Sequence, residues 1–182
     1  TSIGIYPGLG GSQRPARICG IPAARWAVLA GNFMDGKTAN DLGLITHLVD
    51  VAAVDEAVGQ ISNQGKPENK YPGQAANPQS PVAQFANDFF ANANMEDIMN
   101  GICPQGFDAE DKQVARQMKS LKFTAPIALA KASELIDATG STDLSAGLAL
   151  ELAGLNGIFS TADSLEGLSA LIEGRRPTYT NQ

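Results

Sequence analysis

The placement of glycine and proline limits what this 182-residue chain can fold into. Residues 62–80, SNQGKPENKYPGQAANPQS, are dense in Gly, Pro, Asn and Gln, a composition typical of a linker or a long exposed loop. The opening segment 1–13, TSIGIYPGLGGSQ, predicts a loop with close backbone packing, because its glycines and its proline are incompatible with a regular helix. We therefore expect three parts: 1–61, the linker 62–80, and 81–182.

Apolar residues at helical spacing predict a mostly α-helical chain. One strand candidate stands out, the run LITHLV at 44–49, so the single histidine, His47, is expected in a packed core or on an edge strand. On the last helix, Leu165, Leu168 and Leu171 are predicted to face the core, and Asp163 and Glu166 have the spacing of a capping box. The other helices are expected near residues 22–30, 38–42, 51–61, 82–89, 95–102, 109–120, 127–138 and 144–159.

Charge and composition argue against several classes of function. The net charge of −6 argues against nonspecific binding to nucleic acid, and no apolar run reaches the length of a membrane helix. Cys19 and Cys103 match no metal spacing and are expected to be reduced thiols of a cytoplasmic protein. One histidine is too few for a histidine metal site, and we expect no bound metal. The basic clusters, Arg14 with Arg17 and Arg25, and Arg175 with Arg176, are either solvated surface charges or a local polyanion site.

Residues 31–38, GNFMDGKT, match the pattern of a nucleotide-binding P-loop. Their surroundings do not, because the preceding segment reads as a helix rather than a buried strand, and Gly43 cuts the following helix short. We expect Lys37 on an exposed loop between two short helices, without a phosphate cradle.

Two longer segments carry a family resemblance. GIYPGLGGSQRPARICG (4–20), followed by AARWAVLAGNFMDGKTANDLGLITHLVD (23–50), resembles the middle of enoyl-CoA hydratase/isomerase (crotonase) proteins. GLALELAGLNGIFSTADSLEGLSALIEGRRPTY (147–179) is similar to the closing pattern of the same family. The resemblance implies the C-terminal portion of a crotonase-like α/β spiral fold, with residues 1–61 as the end of the core and 81–182 as a helical insertion and closing helices.

The same resemblance implies a reaction and its site. It implies a fragment of an acyl-CoA enzyme of β-oxidation type, whose parent reaction hydrates trans-2-enoyl-CoA to 3-hydroxyacyl-CoA. The backbone amide of Gly8 would help to hold the catalytic water, and the substrate contacts would come from Pro7, Leu9, Gly10, Phe159 and Arg175. Neither catalytic glutamate matches a residue of this chain. With no acid expected near the loop, we expect an inactive isolated chain that binds no cofactor, coenzyme A being part of the parent enzyme's substrate.

Three alternatives stay open besides the P-loop phosphate binder. Residues 85–135 are similar to an insertion in 3-hydroxyisobutyryl-CoA hydrolases, which implies a thioester hydrolase on the same scaffold. The opening segment is also similar to the hydratase part of 3-hydroxyacyl-CoA dehydrogenase fusions, whose NAD domain would lie upstream. A non-catalytic helical oligomerisation module is the third alternative.

The apolar stripe on the helix expected at 144–159 generates a prediction about assembly. Most strands of the family core are missing from this chain, so the stripe lacks part of its cover, and burying each Leu or Phe is worth roughly 1.5–3 kcal/mol. We expect either residues 82–121 or another chain to cover it, and we favour a homo-oligomer. Sedimentation at micromolar concentration should show a species larger than a monomer, whereas a well-folded strict monomer would contradict self-association. The stripe consists of Leu144, Leu148, Leu152, Leu155 and Phe159.

Overall fold

The computed structural model describes residues 1–65, 72–91 and 93–182. Within these ranges the chain forms α-helices and two short 3₁₀ turns, and no strand. The helices are α1 (Arg14–Cys19), α2 (Ile21–Val28), α3 (Gly36–Asp41), α4 (Val54–Gln64), α5 (Pro81–Phe90), α6 (Met95–Met99), α7 (Lys112–Lys122), α8 (Pro126–Asp137), α9 (Leu144–Ala153), α10 (Leu155–Phe159) and α11 (Ala162–Glu173). None of the described helices is long and apolar enough to cross a membrane.

The mostly helical prediction is confirmed, but the strand predicted at 44–49 is wrong. That segment has no strand partner among the described residues, and His47, Leu48 and Val49 are exposed. His47 is therefore a surface residue, not a core or edge-strand histidine. Of the predicted linker, residues 62–64 belong to α4, and 66–71 lie outside the described residues.

Helix α8 is the centre of the hydrophobic core. Pro126 occupies its first turn, where a missing N–H costs nothing, and the helix packs against α2, α6 and α9. Its buried face lacks bulky polar groups, which lets its neighbours approach closely. That face consists of Ala128, Leu129, Ala132, Leu135 and Ile136.

The helices of the predicted insertion belong to this same core. Helix α5 packs along α2 and buries Phe89 and Phe90 completely. The ring of Phe89 lies 5.3 Å from that of Phe85 and 5.2 Å from that of Phe107, measured between centroids. Because the insertion packs here, it is not free to cover the stripe on α9 and α10.

The stripe on α9 and α10 is only partly covered by the described residues: Leu148 and Leu155 are half-buried, and the other three are exposed. Leu144 is 41% exposed, Leu152 69% and Phe159 52%. Of the two covers expected, residues 82–121 do not bury these side chains, and another chain was the favoured one. The orientation predicted for α11 is also wrong in part, because Leu165 and Leu171 point outward. The closing helices thus expose several apolar side chains, while Leu155 and Ile158 of α10 pack against the core.

Helix α11 instead packs its small residues against the opening segment. A Cβ added at Gly167 would lie 2.3 Å from the carbonyl carbon of Ile3, and one at Gly4 would lie 2.2 Å from the carbonyl oxygen of Asp163. Gly4 also has a φ of 79°, which disfavours any other residue. The chain therefore needs glycine on both sides of this contact.

Substituting Gly167 with alanine should destabilise the fold, because the new methyl group meets backbone atoms that have no room to move. Overpacking of this kind costs about 1–3 kcal/mol. Gly157→Ala on α10 is the matched control: a Cβ there meets nothing within 4 Å. The free energy of unfolding from urea titration should fall for Gly167→Ala and stay level or rise for Gly157→Ala. Equal stability of the two variants would contradict the close contact.

Candidate functional site

The loop of residues 7–11, here called the PGLGG loop, is a tight turn with an unusual residue at its tip. The N–H of Gly11 donates to the carbonyl of Gly8 at 2.9 Å, and the two residues between them, Leu9 and Gly10, have φ angles of 55° and 81°. Positive φ at both central positions is the pattern of a type I′ turn, which favours Gly, Asn or Asp. Leucine at such a position is strained, and its side chain is 97% exposed.

Two backbone amides of the PGLGG loop are free. Within the described part of the chain, the N–H groups of Gly8 and Leu9 donate no hydrogen bond. A Cβ added at Gly8 would meet nothing within 4 Å, so this face of the loop is open to a small molecule. The loop can therefore offer two neighbouring donors to a water or to a carbonyl oxygen.

A buried carboxylate, Glu151 on α9, holds the loop from below. Its Oε1 accepts from the N–H of Gly10 at 2.6 Å, and its Oε2 accepts from the N–H of Ser12 at 3.2 Å and from the Ser12 hydroxyl at 2.6 Å. The expectation of no acid near the loop is therefore wrong. Both oxygens are occupied by donors, however, so Glu151 is an anchor of the loop. The N–H of Gly10, a predicted substrate contact, is used inside the protein.

Tyr6 and Gln13 fix the two ends of the loop. The Tyr6 hydroxyl donates to the backbone carbonyl of Glu151 at 2.6 Å, and burial together with the nearby Glu151 charge raises the pKa of Tyr6. The fully buried Gln13 donates from Nε2 to the carbonyl of Leu135 at 2.7 Å. Gly147 allows α9 to approach this amide, because a Cβ there would lie 2.0 Å from Gln13 Oε1.

The arginines near the loop bind the protein itself. Arg14 donates to the carbonyl of Leu9, and Arg17 donates to the carbonyls of Thr142 and Asp143 at 2.7 and 2.9 Å. Arg25 pairs with Asp137 at 2.8 Å and also donates to a backbone carbonyl. Arg14 therefore binds the loop, Arg17 and Arg25 bind groups near helix ends, and a polyanion would have to compete with those bonds.

Arg175 and the tail that follows it are held by two acids of α11. Glu166 accepts from Arg175 at 2.6 Å and from the N–H of Thr178 at 2.7 Å, and these bonds lower the pKa of Glu166 to about 2. Arg175 also binds Glu173, so its guanidinium is already engaged by two carboxylates. A coenzyme A phosphate would have to displace them.

The predicted capping box at the start of α11 is wrong. The cap of this helix is Thr161, whose hydroxyl accepts from the N–H of Ser164 at 3.0 Å. Asp163 is buried and accepts instead from the N–H groups of Thr180 and Asn181, at 2.7 and 3.1 Å. Both acids of the supposed box thus bind the C-terminal tail.

In the segment that matches a P-loop, the groups that would bind a phosphate are bonded to the protein's own acids. Lys37 lies in the first turn of α3, not on a loop as expected, and pairs with Asp41 at 2.5 Å. The Asp35 carboxylate accepts from the N–H of Thr38 at 2.7 Å, where a phosphate cradle would need free donors. The six-residue α3 is also shorter than the helix that a P-loop opens.

A cavity of about 390 Å³ lies apart from the PGLGG loop, between α2, α5 and residues 73–79. Cys19 lines it, and burial raises the pKa of this thiol to about 12, so it stays protonated near neutral pH. Cys19 and Cys103 are both free thiols. Among the described residues no group of three His, Cys, Asp or Glu side chains is arranged to hold a metal ion.

Of the predicted site residues, the structure places Pro7, Gly8, Leu9 and Gly10 together in the loop. Phe159 is half-exposed on α10, and Arg175 lies in the tail beyond α11. Sequence reasoning missed Glu151, the residue that organises the loop. A signal was present, because Glu151 is a single acid in the apolar run LALELAGL, and an acid in such a run is often buried with partners.

Comparisons with known proteins match the whole chain. A sequence profile of the enoyl-CoA hydratase/isomerase family matches residues 1–182. The mitochondrial methylglutaconyl-CoA hydratases of Mus musculus and Homo sapiens are each 27% identical over the whole chain, which covers 41% and 38% of their lengths. An enoyl-CoA isomerase/hydratase of Mycosarcoma maydis is 25% identical over 99% of the chain and 45% of its own length. The chain thus spans about four-tenths of these relatives.

A solved structure shares the fold. The crystal structure of an enoyl-CoA hydratase from Rhodobacter sphaeroides 2.4.1 superposes on the whole chain with a TM-score of 0.72 and 22% identity, and the chain covers 53% of it. The helical arrangement described above is therefore that of the C-terminal portion of such a fold.

The Glu166 contacts predict a pH-dependent tail. A carboxyl whose pKa is depressed from 4.5 to about 2 stabilises the folded tail above pH 4.5, and this stabilisation is lost as the pH falls through 2. The amide signal of Thr178 in NMR spectra should move toward its random-coil position over that window. Glu166→Gln should loosen the tail already at neutral pH and remove this titration. Glu173→Gln, which also loses a carboxylate on Arg175 but no bond to the tail backbone, should leave the titration in place; an unchanged Thr178 signal in Glu166→Gln would contradict the assignment.

Proposed function

Because this chain belongs to the enoyl-CoA hydratase/isomerase family, we propose that it forms part of an active site for acyl-CoA thioesters. The reaction we propose for the whole protein is hydration of a trans-2-enoyl-CoA to a 3-hydroxyacyl-CoA. This chain contributes the loop that holds the water and the helices that close over the acyl group. The hydratase and isomerase names of the relatives support this choice over a thioester hydrolase or a dehydrogenase fusion.

The observation that carries the proposal is the free N–H of Gly8. Buried or half-buried backbone donors are almost always paired in folded proteins, so an unpaired donor on an open face is a candidate ligand contact. A fixed N–H needs no reorganisation when it binds a water or an oxygen that gains negative charge. The neighbouring N–H of Leu9 is also unpaired within the described part of the chain.

The side chains of Pro7 and Leu9 give the loop an apolar rim. Leu9 places a whole side chain in solvent at a strained backbone position. Strain of this kind persists only when the surroundings enforce it, and it concentrates at functional sites. We assign the Leu9 side chain to the acyl portion of the substrate, where burial against the chain would offset its exposure.

The acid–base chemistry of the reaction comes from elsewhere in the whole protein. Glu151 is the carboxylate bonded to the loop, and both of its oxygens are used by Gly10 and Ser12. Positioned acids and bases typically contribute 10²- to 10⁴-fold to such reactions. The isolated chain is therefore proposed to bind an enoyl-CoA without hydrating it.

The exposed side chains of the stripe on α9 and α10 support the proposal of a homo-oligomer. Leu165 and Leu171 of α11 are exposed as well, so each of the three closing helices presents apolar side chains to solvent. Exposed apolar residues that form a contiguous patch mark an interface between chains. We propose that a second copy covers these side chains.

The experiment is an NMR titration of the ¹⁵N-labelled chain with crotonyl-CoA, a trans-2-enoyl-CoA. The Gly8 and Leu9 amide signals should shift in a saturable manner, because their N–H groups gain a partner. Free coenzyme A, which lacks the thioester, is the control ligand and should leave these two signals in place. The same samples should show no hydration of crotonyl-CoA above the buffer rate. Absence of a Gly8 shift at millimolar crotonyl-CoA, or an equal shift with free coenzyme A, would overturn the proposal.

Leu9→Gly separates the acyl contact from the fold. Glycine adopts a φ of 55° without strain, so the loop should keep its shape and its bonds to Glu151. Crotonyl-CoA should bind this variant more weakly, whereas Leu48→Gly, which removes an exposed leucine from the irregular segment after α3, should leave the affinity unchanged. Equal affinities of wild type and Leu9→Gly would argue against the acyl contact.

A further inference from the structure

Glu151 stands out as a buried carboxylate without a cation. Its residue is 4% exposed, and among the described residues no Lys, Arg or His side chain forms a salt bridge with it. A buried carboxylate is costly unless hydrogen bonds compensate its charge. Here the compensation comes from the loop donors, the N–H groups of Gly10 and Ser12 and the Ser12 hydroxyl.

The contacts of Glu151 lie on both sides of Gly8. Tyr6, two residues before it, donates to the Glu151 carbonyl, and Gly10, two residues after it, donates to the Glu151 carboxylate. Gly10 and Glu151 are 141 positions apart in the chain. One residue of α9 therefore fixes both arms of the turn that presents the free N–H.

The bonds are of the strong kind. Hydrogen bonds to a carboxylate are shorter and roughly twice as strong as those between neutral groups, and the 2.6 Å contacts of Gly10 and of the Ser12 hydroxyl have such lengths. They hold Leu9 and Gly10 at positive φ, a shape that Leu9 by itself disfavours. Besides them, the described side chain that bonds the tip of the turn is Arg14, which donates to the Leu9 carbonyl from the exposed side.

We propose that Glu151 is the positioning residue of the site: it sets the orientation of the Gly8 amide through Tyr6, Gly10 and Ser12, and takes no part in proton transfer. The inference rests on the proposed function in so far as Gly8 contacts the substrate. The order that Glu151 imposes on the loop can be measured separately from substrate binding.

The test uses Glu151→Gln. The oxygen of the glutamine amide can accept one of these bonds. Its NH₂ group, however, cannot accept from the loop donor that the second carboxylate oxygen bound, so the loop loses at least one strong bond. Amide hydrogen exchange at Gly10 and Ser12 should accelerate by roughly ten- to a hundredfold, while the buried amides of α8 keep their wild-type rates. The crotonyl-CoA shift at Gly8 should shrink at least severalfold. Glu134→Gln, which removes an exposed acid paired with Lys131, is the matched control and should change neither readout.

The outcomes show whether Glu151 orders the loop specifically or only stabilises the fold as a whole. Unchanged exchange at Gly10 and Ser12, or equal acceleration of the α8 amides, overturns the inference, because Glu151 would then be idle or merely part of the fold. A wild-type chain without any Gly8 response to crotonyl-CoA overturns the proposed function, while the exchange pattern still decides whether Glu151 fixes the loop.

Two further variants keep the inference falsifiable if Glu151→Gln fails to fold. Ser12→Ala removes the hydroxyl bond to Glu151 Oε2 but keeps the carboxylate and both backbone bonds. Amide exchange should therefore accelerate at position 12 and less at Gly10. Glu151→Asp keeps the charge on a shorter side chain and should restore much of the Gly8 response. Wild-type exchange at Ser12 in Ser12→Ala would contradict the inference.

Discussion

The carboxylate of Glu151 is the interaction on which the shape of the site depends. A carboxylate in the interior is unfavourable by itself, and the PGLGG loop by itself has no reason to adopt a turn with leucine at positive φ. The three donors of the loop compensate the burial of the charge, and the two oxygens of the carboxylate stabilise the strained turn. This mutual dependence couples the opening segment of the chain to α9. The loop is therefore anchored to α9 in the folded chain.

The same physical solution recurs at α11. Asp163 is buried and accepts N–H bonds from Thr180 and Asn181, while Gly4 and Gly167 let the opening segment pack closely against the same helix. The acids of this region bind backbone amides, and several arginines bind backbone carbonyls, among them Arg17. Charged side chains are thus used to tie irregular segments to helices. The net charge of the chain consequently says little about ligand binding at these places, because the Asp163 and Arg17 side chains are already bonded to backbone groups.

Periodicity in the sequence predicted where the helices lie, but it predicted poorly which of their faces are buried. The pattern around residues 127–138 predicted α8, and the structure shows this helix deeply buried. The spacing of Leu165 and Leu171 gave the right helix and the wrong side, because periodicity shows which residues share a face and not what lies against it. LITHLV has strand-like residues, but β-structure needs a partner strand, and none is present among the described residues. Of the site, the glycine loop was predictable; Glu151 was not assigned, because its partners lie far away in the chain.

The distribution of strain suggests how such a loop becomes a binding site. Leu9 at a φ of 55° costs roughly 1–2 kcal/mol relative to an ordinary conformation, and bonds from Tyr6, Gly10 and Ser12 to Glu151 outweigh that cost. The turn is consequently fixed before any ligand arrives, with the Gly8 and Leu9 N–H groups unpaired on its open face. A flexible loop would have to lose conformational entropy on binding, whereas this one has already lost it during folding. The strained leucine, the unpaired amides and the buried acid are therefore parts of one arrangement: Glu151 fixes the shape of the loop, and a ligand would supply the missing partners of the Gly8 and Leu9 N–H groups.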